Sequence, residues 1–222
     1  MREFAGLSRG RRLAQFALYR RVAAMALRGI IRKATFRHSG GTLLVGRHVR
    51  ITNASWISHS GRLVIEDGVE LQGVSQRGIR FGDGVSIGPG VSIRPSSYYG
   101  GEAGVGLVIG DRSSLATGCF VGCSGEIIIG ADVMIGPGVR IFSENHVFAD
   151  TASTIRSQGV SRGFVHIGDD CWIGSGSIVA AGVTIGKGVV IGAGSIVTRD
   201  IPDYSVAVGN PARVLRDRRS AE

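Results

Sequence analysis

The residue with the clearest chemical potential is His146, which stands where a regular sequence pattern gives way to an irregular one. It closes the six-residue block Ile141–His146 (IFSENH) and meets a long segment without a repeat, residues 142–164. A side chain at such a junction is held by regular structure on one side and faces a cleft on the other. An imidazole titrates near neutral pH, so it can remove a proton from a hydroxyl group. Position alone leaves a catalytic and a structural role open for His146.

The other four histidines lie at less informative positions. His38 borders the N-terminal segment, His48 occupies a corner of a degenerate block, His59 lies early in the chain, and His166 precedes a strand. For each of them the pattern favours an exposed structural role. His166 is the second choice for a base.

The element that must position His146 is a repeat of six residues, which is most regular between Ile167 and Ile201. Six blocks follow one another there without insertion, and an aliphatic residue opens each: Ile167, Ile173, Val179, Ile185, Ile191 and Val197. A period of six fits neither a helix nor a plain strand, but it is typical of parallel β-helices. Three blocks would close one triangular coil of about 18 residues, with neighbouring coils roughly 4.8 Å apart.

The fourth residue of each block predicts the corners of the coil, where φ is positive and a Cβ atom is unfavourable. This position holds Asp170, Gly176, Gly182, Gly188, Gly194 and Asp200. Weaker blocks extend the pattern towards the N-terminus, and they place coil starts near Val45, Ile65, Phe81, Ile109, Ile129, Ile167 and Ile185. The sequence therefore predicts about seven coils, although the 16-residue step from Ile65 to Phe81 is too short for the pattern.

The sequence divides into three segments: a basic N-terminal arm of helical composition over residues 1–40, a β-helix over 41–205, and a C-terminal cap with a basic tail over 206–222. Insertions at 94–107 and 142–164 interrupt the β-helix, and insertions in such repeats usually form loops on one face, often the binding face.

Positive charge is concentrated in the N-terminal segment. The formal net charge is +9, but residues 1–50 hold 12 Lys and Arg against one acidic residue, Glu3, so the remainder is slightly acidic. The charge therefore does not indicate nucleic-acid binding by the β-helix. A basic helical arm fits either peripheral contact with anionic lipid or a cap on the first coil, and both interpretations stay open.

The three cysteines, Cys119, Cys123 and Cys171, have neither metal-ligand spacing nor the pattern of a disulfide framework. Cys119 and Cys171 fall on small inward positions of their blocks. We therefore expect buried thiols, no bound metal and a reducing cytoplasmic location, at the inner face of the membrane if the arm binds lipid. No stretch reaches the roughly 20 apolar residues of a membrane span.

Ile109–His146 and Val165–Arg216, about the C-terminal half of the chain, resemble the hexapeptide-repeat acyltransferases, within the galactoside, maltose and nodulation acetyltransferase group. The marks are the histidine at the loop root and the stretches CWIGSGSIVAAGVTIG, GAGSIVTRDIP and GNPARVLR. The resemblance implies an all-β fold: a left-handed parallel β-helix of about seven coils with a short N-terminal helical arm, a protruding loop and a C-terminal cap. It also implies a homotrimer, with the coenzyme groove between adjacent chains.

The resemblance also assigns roles. His146 matches the general base that deprotonates the acceptor hydroxyl, which then attacks acetyl-CoA directly. Asn145 matches a common companion, and Glu144 is placed to orient the imidazole. The residues that match the acetyl-CoA site are Trp172 at the pantetheine groove, Ser175 and Ala193 through their main chain, and Thr198, Arg199, Arg213 and Arg216 near the adenosine and phosphates.

The acceptor positions depart from this group. Galactoside-type enzymes carry an Asn and an Asp before the histidine, where this chain has Ala116 and Ser124. A free disaccharide is therefore disfavoured, and the extra N-terminal coils and the arm look more like acetyltransferases of polysaccharide biosynthesis. We expect an O-acetyltransferase acting on a glycan, a lipid-linked oligosaccharide or an exopolysaccharide precursor. The alternatives are an antibiotic or xenobiotic O-acetyltransferase and a non-catalytic scaffold; the histidine spacing does not resemble that of γ-class carbonic anhydrases.

Overall fold

The computed structural model describes residues 2–96 and 102–220, with side chains of the first helix from residue 13 onward. Part of the insertion at 94–107, including both of its tyrosines, therefore lies outside the described residues. The described residues of the chain include two α-helices, α1 (Arg2–Lys33) and α2 (Ile155–Gln158), and one 3-10 turn (Ala54–Trp56). Its strands are β1 (His38–Ser39), β2 (Leu43–Val45), β3 (Arg50–Thr52), β4 (Ile57–His59), β5 (Leu63–Ile65), β6 (Glu70–Gln72), β7 (Ile79–Phe81), β8 (Val85–Ile87), β9 (Ser92–Arg94), β10 (Gly106–Ile109), β11 (Ser114–Leu115), β12 (Phe120–Gly122), β13 (Glu126–Ile129), β14 (Met134–Ile135), β15 (Arg140–Phe142), β16 (Glu144–His146), β17 (Val160–Arg162), β18 (Phe164–Ile167), β19 (Trp172–Ile173), β20 (Ile178–Val179), β21 (Val183–Ile185), β22 (Val190–Ile191), β23 (Ile196–Val197), β24 (Ser205–Val208) and β25 (Arg213–Asp217).

The strands form three parallel sheets that are the sides of a triangular prism. Face A contains β1, β4, β7, β10, β13, β18 and β21, and face C contains β3, β6, β9, β12, β15, β20 and β23. Face B contains β2, β5, β8, β11, β14, β19 and β22, followed by β24 and β25. The chain visits the faces in the order A, B, C seven times, which confirms the predicted parallel β-helix of about seven coils.

The short step from Ile65 to Phe81 has a simple geometric cause. Ile65 lies on face B, where it pairs with Val45 and Ile87, whereas Phe81 lies on face A, where it pairs with His59. The sequence pattern thus counted the first two coils from one face and the later coils from another. On face A the step into Phe81 starts at His59 and spans 22 residues, so the frame of the first coils was wrong by one side of the prism.

The prism interior is filled by one inward residue from nearly every strand. Ile57, Ile79, Ile127, Ile167 and similar branched side chains are fully buried and form one continuous core. The three cysteines are free thiols within that core, as expected for small inward residues. Burial raises the pKa of Cys123 to about 12 and that of Cys171 to about 11, so both thiols stay protonated and poorly reactive.

The corners follow the predicted chemistry with one exception. Gly176, Gly182, Gly188, Gly194 and Asp170 all have positive φ. Asp200 was expected to do the same, but it is not among the residues with positive φ. Its carboxylate instead accepts a hydrogen bond from the Thr184 amide at 2.7 Å, so this side chain stabilises the corner of the preceding coil.

Helix α1 lies across the first coil with its C-terminal half. Met25 and Gly29 are buried there, and a Cβ atom on Gly29 would overlap the carbonyl oxygen of Leu43. The Arg28 guanidinium donates to the carbonyl oxygen of Val45 at 2.7 Å, which satisfies an acceptor at the open end of face B. Leu13 to Val22, in contrast, remain exposed. The arm therefore caps the first coil with one part and leaves the other part in solvent.

His59 was expected to be exposed, but only 1% of it is accessible. It points into the first coils, where its ring meets Phe36 edge to face. Nδ1 lies 2.7 Å from the carbonyl oxygen of Gly61 and must donate to it, so Nε2 accepts the hydroxyl proton of Ser39. Both ring nitrogens of the buried imidazole are thus hydrogen-bonded, and burial lowers the pKa of His59.

No helix among the described residues is long and apolar enough to cross a membrane.

Candidate active site

The insertion 142–164 forms a hairpin that leaves the prism at the corner between faces C and A. Its strands β16 and β17 are antiparallel, and they place His146 opposite Val160 and Glu144 opposite Arg162. The tip contains α2, which begins where the Thr154 hydroxyl accepts a hydrogen bond from the Ser157 amide. The other insertion connects β9 on face C to β10 on face A, so both insertions emerge from the same corner.

Glu144, Asn145 and His146 are all exposed on β16. Alternation along a strand directs Glu144 and His146 to the same side of the hairpin. Within the described part of the chain, neither side chain makes a hydrogen bond or an ion pair. The imidazole is therefore accessible to a substrate, and no hydrogen bond from Glu144 orients it in this conformation.

The root of the hairpin is fixed by two residues that the sequence did not single out. The buried Ser143 hydroxyl accepts from the Gly125 amide at 2.8 Å and donates to the carbonyl oxygen of Gly122 at 2.7 Å. These bonds lock β16 to the coil beneath it. Ser143 is the third residue of its block, and that position is exposed or partly exposed in the regular blocks from Ile167 onward, so the repeat gave no signal for its burial.

Arg162 is the second of these residues. Its Nε donates to the Ser124 hydroxyl at 3.2 Å, and its Nη2 donates to the carbonyl oxygen of Glu102 at 3.1 Å. It thereby joins the hairpin to the other insertion. Ser124, which occupies an acceptor position by resemblance, is only 8% exposed, and Arg162 engages its hydroxyl. Ala116, the other such position, is partly buried and has no polar side-chain atom.

The predicted coenzyme residues begin on face B with Trp172. This indole is 52% exposed and pairs in register with Met134 on one side and Val190 on the other. The same outward row continues through Val206 to Arg216. Trp172 and Arg216 are thus three strand spacings apart, roughly 14 Å. An elongated ligand lying along face B would meet an aromatic surface at one end and a guanidinium at the other.

Ser175 and Ala193 occupy the same corner, between faces B and C, in successive coils. The carbonyl oxygen of Ser175 accepts from the Gly194 amide at 2.9 Å, but the amides of Ser175 and Ala193 donate to no acceptor in the described residues. Two earlier coils have Pro89 and Pro137 at the equivalent position, so the fold does not require an amide proton there. Ser175 and Ala193 therefore present two free donors in a row.

The remaining predicted residues divide between two places. Arg213 lies on β25 opposite Val208, so it shares face B with Arg216. Thr198 and Arg199 are exposed where the chain leaves β23 on face C, at the corner that carries the hairpin. The structure thus groups Trp172, Arg213 and Arg216 on face B and places Ser175 and Ala193 at its edge. His146, Thr198 and Arg199 lie beyond face C, so one chain does not bring all these residues together.

Within the described residues, no group of three or more His, Cys, Asp or Glu side chains could hold a metal ion.

A triangular parallel β-helix with a protruding hairpin is the architecture of hexapeptide-repeat transferases, and comparison with known proteins agrees. The family described as "Bacterial transferase hexapeptide (six repeats)" matches residues 164–199. Nodulation protein L of Rhizobium meliloti is 39% identical over 129 residues, 58% of this chain and 68% of that protein. The chain belongs to this family of hexapeptide-repeat acyltransferases.

Two further relatives set the extent of the similarity. "Probable acetyltransferase Rv3034c" of Mycobacterium tuberculosis is 33% identical over 159 residues, 71% of this chain, and the match spans 51% of that protein's own length. A crystal structure of a maltose O-acetyltransferase from Clostridium difficile is similar with a TM-score of 0.52 and 35% identity, over 60% of this chain and 66% of that one. The matched region spans only about half of the first of these relatives.

Proposed function

We propose that the chain is an acetyl-CoA-dependent O-acetyltransferase whose acceptor is a sugar hydroxyl in a glycan, a lipid-linked oligosaccharide or an exopolysaccharide precursor. The observation that carries this proposal is the accessible imidazole of His146, presented by a hairpin whose root is fixed by Ser143 and Arg162. The names of several relatives, including the maltose O-acetyltransferase, support a sugar acceptor.

In the proposed reaction, His146 accepts the proton of the acceptor hydroxyl while its oxygen attacks the thioester carbonyl carbon of acetyl-CoA. A carbon–oxygen bond forms, the carbon–sulfur bond breaks, and the thiolate leaves and takes up the proton from the imidazolium. Glu144, on the same side of β16, would stabilise that imidazolium once substrate closes the site. Asn145 points to the other side of the strand and would contact the hairpin's surroundings rather than the imidazole.

The coenzyme would lie along face B and its edge. The free amides of Ser175 and Ala193 are donors suited to the amide carbonyl groups of pantetheine, and Trp172 supplies an apolar surface beside them. Arg213 and Arg216 would bind the phosphates, for which guanidinium groups are well matched.

A second copy of the chain would complete the site, because His146 and Trp172 lie on opposite sides of face C. We therefore propose a homotrimer in which the hairpin of one subunit reaches face B of its neighbour; Thr198 and Arg199 would approach the adenosine from that side. Exposed apolar residues on the hairpin (Phe148, Ile155) and on face B (Met134) suit such a contact. We also propose a cytoplasmic location, with the exposed part of α1 contacting anionic lipid at the inner membrane face.

The test is thiol release from acetyl-CoA in the presence of nucleotide sugars and lipid-linked oligosaccharides. With the accepted substrate, His146→Ala should lower kcat by about 10²–10⁴-fold and leave the KM for acetyl-CoA nearly unchanged, because the imidazole acts on the acceptor. The thermal unfolding temperature should not change, since the side chain is exposed and makes no hydrogen bond or ion pair within the described chain.

The matched control is His166→Ala, which removes an exposed imidazole from β18 on face A. It should retain wild-type turnover. More than about half of the wild-type activity in His146→Ala would place the base elsewhere, and failure of every acceptor to promote thiol release would favour a non-catalytic scaffold.

A further inference from the structure

A cleft of about 240 Å³ lies on the corner that carries the hairpin, but in the first three coils. It is lined by Arg37, Trp56, Ser58, Arg77, Gly78 and Arg80. The resemblance to known enzymes assigns no role to this part of the chain. The volume is below the roughly 300–1,000 Å³ of pockets for drug-sized ligands, so it suits one small unit of a longer molecule rather than a whole coenzyme.

The cleft is built by the local chain path. The 3-10 turn Ala54–Trp56 widens one corner and exposes 41% of the Trp56 residue. In the next coil, Gly78 has φ of +76°, and a Cβ atom there would lie 2.7 Å from the carbonyl oxygen of Trp56. Glycine therefore lets the two corners approach closely, and this contact forms the floor of the cleft.

Three arginines, Arg37, Arg77 and Arg80, line the cleft together with Trp56. Arg80 stands outward on face A between Ser58 and Val108, and its Nη1 donates to the carbonyl oxygen of Arg77 at 3.0 Å. Arg77 pairs with Glu126 at 2.6 Å. Arg37 and Arg80 have no carboxylate partner in the part of the chain that the structure describes. The cleft thus has a positive surplus next to an aromatic face.

We infer that this cleft binds an anionic sugar unit of the acceptor, a pyranose ring next to a carboxylate or phosphate group. The guanidinium groups would make charge-assisted hydrogen bonds with the anion, and the apolar face of the ring would pack on Trp56. This inference rests on the proposed function, because it assigns the cleft to the acceptor of the same enzyme.

The position relative to the hairpin supports an acceptor role. Glu126, the partner of Arg77, begins β13 and pairs in register with Phe164, which begins the strand after the hairpin. From β7 to that strand there are three strand spacings, roughly 14 Å, along one corner. A glycan lying on this corner would reach from the cleft to the base of the hairpin, so the cleft would hold a sugar distant from the acetylated one.

Direct binding tests the inference without turnover. The chain contains two tryptophans, so in a Trp172→Phe background the indole fluorescence reports on Trp56. The probes are tetragalacturonate, UDP-glucose and maltotetraose, which carry carboxylates, a diphosphate and no charge. We expect saturable quenching by at least one of the two anionic probes and none by maltotetraose.

Arg80→Ala should weaken that binding by about tenfold to a hundredfold, the range for loss of a charge-assisted hydrogen bond. Arg80→Lys keeps the charge but removes the planar guanidinium group that can donate two parallel hydrogen bonds, so this variant should lose part of the affinity. The matched control is Arg62→Ala, an exposed arginine at the corner between faces A and B, which should bind as the parent does. Equal losses in Arg62→Ala and Arg80→Ala would reduce the effect to net charge and overturn the inference.

The outcomes separate the inference from the proposed function. Quenching by tetragalacturonate alone identifies a carboxylated glycan, and quenching by UDP-glucose alone identifies a diphosphate-linked sugar; both support the cleft. Equal quenching by maltotetraose, or none by any probe, overturns it. If acetyl-CoA-dependent thiol release persists in that case, the proposed function stands and only the acceptor site is lost. If an anionic probe binds but no acceptor promotes thiol release, the cleft stands and acetyl transfer does not.

Discussion

Replacing Ala193 with proline would remove one proposed coenzyme contact while leaving the fold intact. The Ala193 amide has no acceptor in the described chain, and Pro89 and Pro137 already occupy the equivalent corner of other coils. Proline at a compatible backbone position stabilises a protein by about 0.4–1 kcal/mol, because it restricts the unfolded chain. The variant should therefore unfold at the same temperature as the parent or slightly higher.

The magnitude of the functional effect follows from one lost donor. A pantetheine carbonyl that is desolvated but unpaired costs about 1–3 kcal/mol, which corresponds to a rise of about 5- to 150-fold in the KM for acetyl-CoA. The turnover number should change little, because the amide is distant from the reacting carbonyl. Initial rates of thiol release over a range of acetyl-CoA concentrations measure both constants.

Two further variants isolate the cause. Ala193→Ser keeps the amide and adds a small side chain, so it should behave as the parent does. Thr117→Pro changes the same corner two coils before Ser175, where no coenzyme contact is proposed, and it should leave both constants unchanged. Wild-type KM in Ala193→Pro, or a rise in Thr117→Pro of equal size, would refute the assignment of these amides to the coenzyme.

Three other predictions concern the two ends of the prism. Arg216→Ala should raise the KM for acetyl-CoA by about tenfold to a hundredfold with little change in kcat, and an unchanged KM would remove it from the site. Deleting residues 2–20 should preserve the unfolding temperature but weaken binding to anionic vesicles in a salt-dependent way. Deleting residues 2–35 should destabilise the chain, because it uncovers the coil beneath Met25. Equal stability of the two truncated chains would contradict the capping role. Burial lowers the pKa of His59, so below the ordinary imidazole value of about 6.5 the unfolded chain binds a proton that the folded chain does not. The free energy of unfolding therefore decreases as the pH is lowered through this range. His59→Gln should lose less stability than the parent between neutral and mildly acidic pH in urea unfolding, and equal losses would exclude His59 as the cause.

The fold could be predicted because one period specifies it. Each block from Ile167 onward repeats an inward aliphatic residue and a corner residue, so local sequence and tertiary position agree. The first coils were harder, since their blocks are loose and the turn at Ala54–Trp56 adds residues at a corner. That irregularity caused the error in face assignment, and the burial of His59 depends on partners, Ser39 and Gly61, that no periodicity reveals.

Some residues of the candidate site could be identified from the sequence, whereas the contacts of the hairpin and of the cleft could not. The junction of repeat and insertion indicated His146, whereas Ser175 and Ala193 were assigned only through the resemblance to known enzymes. The bond from Arg162 to Ser124 joins residues 38 positions apart, across the insertion that forms the hairpin. Its formation depends on the hairpin's path, which a repeat does not encode. The cleft beside Trp56 likewise depends on the approach of two corners in successive coils.

The proposed coenzyme site and the proposed acceptor site lie on different parts of the prism. The proposed contacts with pantetheine come from repeat positions on face B and at its edge, where the backbone geometry is set by stacking and changes little from coil to coil. The proposed acceptor contacts come from the corner between faces C and A, which carries both insertions and the 3-10 turn. Because each coil contacts only its neighbours, a change at Trp56 or Arg80 should alter acceptor preference without disturbing the amides of Ser175 and Ala193. We therefore expect variants at the corner of Ser175 and Ala193 to change the KM for acetyl-CoA, and variants at the corner of Trp56 and Arg80 to change the KM for the acceptor, each without affecting the other.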